Sequence, residues 1–195
     1  MQSRVNYPES RVPLEDNPWF RAWNKVYNKL IDIASVPSGG SAAHIWLDSG
    51  EKKITVEELE AVGWEIVNRF PPQGDTTYCN LALAHAAAKY GCFDFRGLMA
   101  NDIVAGLSSG TFPRWQLCSY PGAISHALSG GLGFVGKAYT GHGHVALIAP
   151  RQGQQSASWA VLSPIVFNVG KRNGLMKASE AFPVKQGMPS AWIYA

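Results

Sequence analysis

The chain has 195 residues, 46% hydrophobic and 11% aromatic, enough for one well-cored domain and against extensive disorder. A formal net charge of +3 is compatible with adsorption to anionic polymers such as cell-wall material, but too small and dispersed to indicate a nucleic-acid partner. No apolar run approaches the roughly 18 residues of a membrane span, and Met1 to Pro8 lack the apolar stretch of a secretion signal. The expectation is therefore a product made in the cytoplasm, which something else must deliver if its substrate lies outside.

An irregular arm runs to Asp16. Asn17 and Pro18 then supply a cap and a first turn, and Trp19, Phe20, Trp23, Val26, Tyr27, Leu30 and Ile31 recur at helical spacing to about Ile33. This aromatic stripe reads as packing on the main domain, with docking to a partner as the alternative. Ala43 to Leu47 reads as a short strand. A clear helix follows, in which Thr55 and Glu58 form a capping box and Leu59, Val62, Ile66, Val67 and Phe70 make a buried face. Pro71 and Pro72 stop it and suggest a boundary, dividing an N-terminal helical extension, 1–72, from a core, 73–195, with a single globular unit as the alternative.

Beyond that point the pattern is helical first. A helix opens at Cys79 and ends at Gly91, another covers Leu98 to Leu107, and Pro121 to Leu128 give a further turn or two. Strands follow at Phe134–Tyr139, His144–Ala149, Trp159–Leu162, Ile165–Val169 and Ala191–Tyr194. Helices before strands imply an α+β fold, with helices packed on an antiparallel sheet.

The three cysteines, Cys79, Cys92 and Cys118, are an odd number in no metal-ligand spacing, so neither a disulfide framework nor a zinc site is indicated. Cys92 and Cys118 read as small buried hydrophobes. Cys79 differs, because Asp75, Thr76, Thr77, Tyr78 and Asn80 surround it with polar groups at a helix start. The positive end of the helix dipole there lowers a thiol pKa from about 8.5 toward neutrality, which makes Cys79 a candidate nucleophile.

A nucleophilic thiol needs a base. His44 and His126 have no supporting context, and His85 lies more than one helical turn from Cys79. His142 and His144 share a Gly-rich turn before the apolar strand Val145 to Ile148. His144 is at the strand start, held by rigid backbone, and is the better choice. A base in turn needs a group that fixes its tautomer. Asn168, a polar residue inside the apolar strand Ile165 to Val169, fits that role, with Asn173 as competitor. The Cys79 backbone amide at the helix N-terminus is a natural oxyanion donor. Gln73 is a possible second donor, Tyr78 can project into the site, and Trp115 with Ala100-Asn101-Asp102 are candidates to line a substrate groove, with core packing the preferred reading for Trp115.

Tyr78-Cys79-Asn80, Gly143-His144-Val145-Ala146 and Asn168, in that order, resemble the papain-like cell-wall hydrolases, the group of NlpC-type peptidases and CHAP-type amidases. The resemblance covers about Gln73 to Ala195; the Asp-Cys-Ser-Gly of many NlpC-type enzymes is replaced by Tyr78-Cys79-Asn80. It implies a papain-like fold and metal-free, cofactor-free hydrolysis of a peptidoglycan amide, either in the stem peptide or between stem and sugar. It also implies action at the bacterial wall or periplasm by an endolysin or an injected antibacterial effector. The rivals are a cysteine protease or acyltransferase acting on another substrate, which the same Cys-His pair would serve, and a non-enzymatic structural or adaptor protein of a virion.

Overall fold

Thr55 closes the N-terminus of the first helix, α1 (Val56–Arg69), in both directions. Its Oγ1 accepts from the Glu58 amide at 3.1 Å and its own amide donates to Glu58 Oε2 at 2.8 Å. The computed structural model describes residues 54–195, so the aromatic helix expected at 17–33 and the strand at 43–47 lie outside the described residues. Leu59, Val62, Ile66, Val67 and Phe70 are all buried, the face the spacing predicts. Gly63 lets α1 approach the sheet so closely that a Cβ there would overlap the Phe167 ring.

α2 (Cys79–Lys89) is an alanine-rich helix with Ala82, Leu83, Ala84, Ala86 and Ala87 buried, and Gly91 at φ +73° takes the chain out of it. α3 (Ala100–Ser108) follows. Next come strand β1 (Trp115–Cys118) and helix α4 (Tyr120–Leu128), whose N-cap Ser119 Oγ accepts from the Gly122 amide. Strands β2 (Gly133–Lys137) and β3 (His144–Ile148) form an antiparallel hairpin in which Lys137 faces His144. A small hairpin, β4 (Gln154–Ser156) with β5 (Val161–Ser163), precedes β6 (Ile165–Asn168) and β7 (Gly174–Lys177). A short helix α5 (Ala178–Ala181) leads to the last strand, β8 (Ser190–Tyr194).

Among the described residues β1, β8, β2, β3, β6 and β7 form, in that order, one antiparallel six-stranded sheet. The α+β expectation holds at this level. The four central strands carry the dense core: Phe134, Val135, Leu147, Ile148, Val166, Phe167 and Trp192 are almost wholly removed from water. At one end Phe95, Trp115 and Phe134 form an aromatic cluster with ring centroids 4.9–5.6 Å apart. Truncating any one of them to alanine would cost about 3–5 kcal/mol.

The division expected at Pro71-Pro72 falls inside one compact unit that holds both α1 and the sheet. The reason is contact: the Trp64 ring meets the Phe167 ring edge-on at 5.5 Å, and Glu65 reaches His85 on α2. Asn173 Nδ2 donates to the carbonyls of both Val67 and Phe70 at 2.9 Å, tying the end of α1 to the loop after β6.

Candidate functional site

Cys79 is the first residue of α2 and is 6% exposed. The backbone N–H groups of Val145, Asn80 and Cys79 itself are near enough to act on the thiol and favour its charged form. The Val145 amide belongs to the peptide bond that leaves His144, so the thiol sits against the first peptide of β3. Helix start and strand start, 65 positions apart by residue number in the chain, are thus brought together.

The His144 ring is fixed from three sides. Its Nε2 is 2.7 Å from Asn168 Oδ1, at the end of the neighbouring strand β6. The Phe182 ring lies 4.8 Å away, and Gly170 is so close that a Cβ there would come within 3.4 Å of His144 Cε1. The amide of Asn168 has a defined orientation, because its Nδ2 donates to the Arg172 carbonyl at 2.6 Å. Its oxygen therefore faces the imidazole and must accept. Hence Nε2 of His144 carries the proton and Nδ1 keeps its lone pair.

Electrostatics correct one expectation. The helix start does not bring the Cys79 thiol down toward neutrality: burial pushes it up, and the three nearby amides oppose that shift without overcoming it. Burial likewise holds His144 below the ordinary imidazole value, with the Asn168 hydrogen bond pulling weakly the other way. Both shifts favour the neutral forms, a thiol at Cys79 and an uncharged imidazole at His144.

The other predicted residues sort clearly. Tyr78 is buried and donates its hydroxyl to Gln73 Oε1 at 2.9 Å, which leaves the Gln73 amide hydrogens available in the exposed turn before α2. Trp115 is 6% exposed inside the aromatic cluster, so its ring serves the core and not a groove. Asn173 holds the end of α1 and accepts from the Gly170 amide at 2.9 Å, while Asn168 alone of the two bonds His144. His85 turns to Glu65, at 2.7 Å, and His142 is exposed on the loop between β2 and β3. Burial pushes the Cys92 and Cys118 thiols up as well, Cys92 to about 11.

Sequence reasoning placed Asn101 only as a candidate to line a groove and gave Asn80 no contact of its own. Asn80, next to the thiol, donates to the Leu98 carbonyl at 2.8 Å. Asn101, in the first turn of α3, donates to the carbonyls of Tyr139 and Gly141 and accepts from the Tyr139 amide. An asparagine that follows a nucleophile or opens a helix carries no distinctive sequence signal; only the fold shows what it reaches. Among the described residues no helix is long and apolar enough to cross a membrane. Compared with protein-family models and with curated proteins, the chain gives no match.

Proposed function

We propose that the chain is a papain-like cysteine hydrolase that cleaves an amide of peptidoglycan, in the stem peptide or between stem and sugar. The observation that carries the reading is the thiol of Cys79 lying against the His144–Val145 peptide while His144 is locked by Asn168 into the tautomer with a free Nδ1. The order Cys, His, Asn on helix start, strand start and next strand supports the same family resemblance.

In this reading the Cys79 proton passes to His144 Nδ1 as sulfur bonds to the amide carbon. The resulting oxyanion is met by the Cys79 backbone N–H and by the free amide hydrogens of Gln73. Collapse breaks the C–N bond, and the imidazolium returns its proton to the departing amine, leaving a thioester on Cys79. Water, deprotonated by the same imidazole, then hydrolyses the thioester and restores the thiol. Asn168 turns the ring and keeps Nε2 protonated throughout.

Peptidoglycan is favoured as substrate by the resemblance and by a mildly basic chain. The same chemistry would serve a protein or acyl substrate, so the experiment must identify the product. Purified cell walls are treated with the wild type and with Cys79→Ala, following turbidity and identifying released fragments by mass spectrometry. Wall clearing by the wild type alone, with new amine termini, is the expected result. Equal clearing by both proteins would overturn the reading.

A further inference from the structure

The six residues that join β2 to β3, 138–143, end on the base of the site, and the Asn101 side chain of α3 anchors their backbone. Asn101 Oδ1 accepts from the Tyr139 amide at 3.1 Å, while Asn101 Nδ2 donates to the Tyr139 carbonyl at 3.0 Å and the Gly141 carbonyl at 3.2 Å. The amide side chain thereby satisfies both backbone groups of one loop residue, the pairing a strand neighbour would otherwise provide. Gly143, immediately before His144, packs onto the same anchor: a Cβ there would overlap Asn101 Oδ1 and sit 2.9 Å from the Asn101 backbone nitrogen. Gly141 adopts φ +92°, a conformation other residues rarely take, so the loop is shaped to meet its anchor.

The other side of the reacting pair touches the same piece of chain. Asn80, directly after Cys79, donates to the carbonyl of Leu98 and to Sδ of Met99. Residues 98–101 therefore bridge the site from outside, gripped by the nucleophile's neighbour at one end and gripping the base's loop at the other. Neither contact involves a reacting atom.

We infer that Asn101 is a positioning residue, which sets the place of His144 against Cys79 by clamping the loop that delivers it. This rests on the reading of Cys79 and His144 as the reacting pair. Asn168 sets the rotation and tautomer of the ring, and Asn101 sets where the strand that carries it begins. A displacement of about 1 Å at a proton-transfer site costs about 100-fold in rate. Loss of the clamp has room to produce such a displacement, because Gly141 is exposed and the Tyr139 ring packs on the core without fixing the loop backbone.

The test uses the full chain with wild type, Asn101→Ala, Asn101→Asp, His144→Ala and Tyr90→Phe. Asn101→Asp keeps the acceptor for the Tyr139 amide and loses both donations, and it serves if the alanine variant fails to fold. Tyr90→Phe removes a hydroxyl bond to the Gly130 carbonyl and reports what an ordinary loss of stability does. Two quantities are read: kcat and KM on purified walls, and the rate at which iodoacetamide alkylates Cys79, followed by peptide mapping so that Cys92 and Cys118 do not contribute. Expected are a fall in kcat of about 100-fold for Asn101→Ala and about tenfold for Asn101→Asp, with KM little changed. Alkylation of Cys79 should slow in the same order and in the direction of His144→Ala, while Tyr90→Phe changes neither. If Asn101 variants melt earlier but keep wild-type kcat and alkylation, while His144→Ala slows alkylation, the positioning role is overturned and the Cys-His pair stands. If His144→Ala leaves alkylation unchanged, the pair itself falls, and the positioning role falls with it. If the wild type does not clear walls yet alkylation follows the expected order, only the substrate class is wrong.

Discussion

His144 and Asn168 share a hydrogen bond of 2.7 Å whose direction is dictated from behind, since the Asn168 amide is already committed to the Arg172 carbonyl. Replacing Asn168 by alanine removes the acceptor and strands that carbonyl, with a stability cost of about 1–3 kcal/mol. The ring is then free to rotate and to exchange tautomers, so kcat should fall by about 10- to 100-fold with KM nearly unchanged. Steady-state kinetics on purified walls, beside a urea melt, separate the two effects. Wild-type kcat in a folded Asn168→Ala protein would remove Asn168 from the site.

The pH profile follows from burial. His144 must be neutral to accept the Cys79 proton, and its pKa lies below the ordinary 6.5 because its surroundings penalise the imidazolium. The acid limb of kcat/KM should therefore fall below 6.5. Asn168→Ala deletes the contact that favours the charged ring, so the limb should move further down in that variant. Stability has the matching sign. Folded His144 binds a proton less tightly than in the unfolded chain, so the unfolded state takes up more protons on acidification. The contribution is fully present above the unfolded pKa and is lost as pH falls through about 6.5 toward the lowered folded value. Melting curves between pH 5 and 8 check this, with His144→Ala expected to show a shallower dependence over that window.

Much of this was legible in the sequence, and the failures have a common cause. The helix at Val56–Arg69 was readable because its buried face and its capping box agree with each other. The central strands β2, β3 and β6 were readable because almost all of their residues are buried and most are apolar, and β8 because Ala191 and Trp192 give it a buried apolar centre. β1 and β7 were missed: they are the sheet edges, and Trp115–Cys118 and Gly174–Lys177 present half-exposed, mixed side chains without clean alternation. Cys79, His144 and Asn168 stood out because each is a polar residue at the boundary of an apolar element. What a short local pattern cannot report is depth. The helix start argued for a lowered thiol pKa, but the fold buries that start and reverses the sign. For Trp115 the chemistry of an indole suits a groove or a core equally, and its position in the fold makes it a core residue.

Gly63 offers a stability test that runs against helix propensity. In an exposed helix Gly→Ala gains about 1 kcal/mol. Here the new methyl would overlap the Phe167 ring, which is fully buried and braced by Trp64. Gly63→Ala should instead destabilise by about 1–3 kcal/mol, as overpacking of a close-packed core does. Chemical denaturation gives the answer directly; a gain in stability would mean that α1 can lift off β6 without loss.

Gly170 tests whether the His144 ring is held at a tolerance finer than stability can sense. Its backbone is not in the left-handed region, so alanine is allowed there by conformation. The added Cβ would lie 3.3 Å from Asn168 Nδ2, close enough that the amide must yield by a few tenths of an ångström, and 3.4 Å from His144 Cε1, at the limit of ordinary contact. Neither neighbour can yield without disturbing the hydrogen bond between them. A change of one methyl group at such spacing should alter stability by less than about 1.5 kcal/mol. Rate responds more steeply, because proton transfer depends on the alignment of Nδ1 with the sulfur, and kcat should fall about tenfold. A Gly170→Ala protein with unchanged melting temperature and reduced kcat would locate the effect at His144. Unchanged kcat with unchanged stability would show that the ring has slack in its place, and that Phe182 and Asn168 alone do not define the reacting geometry.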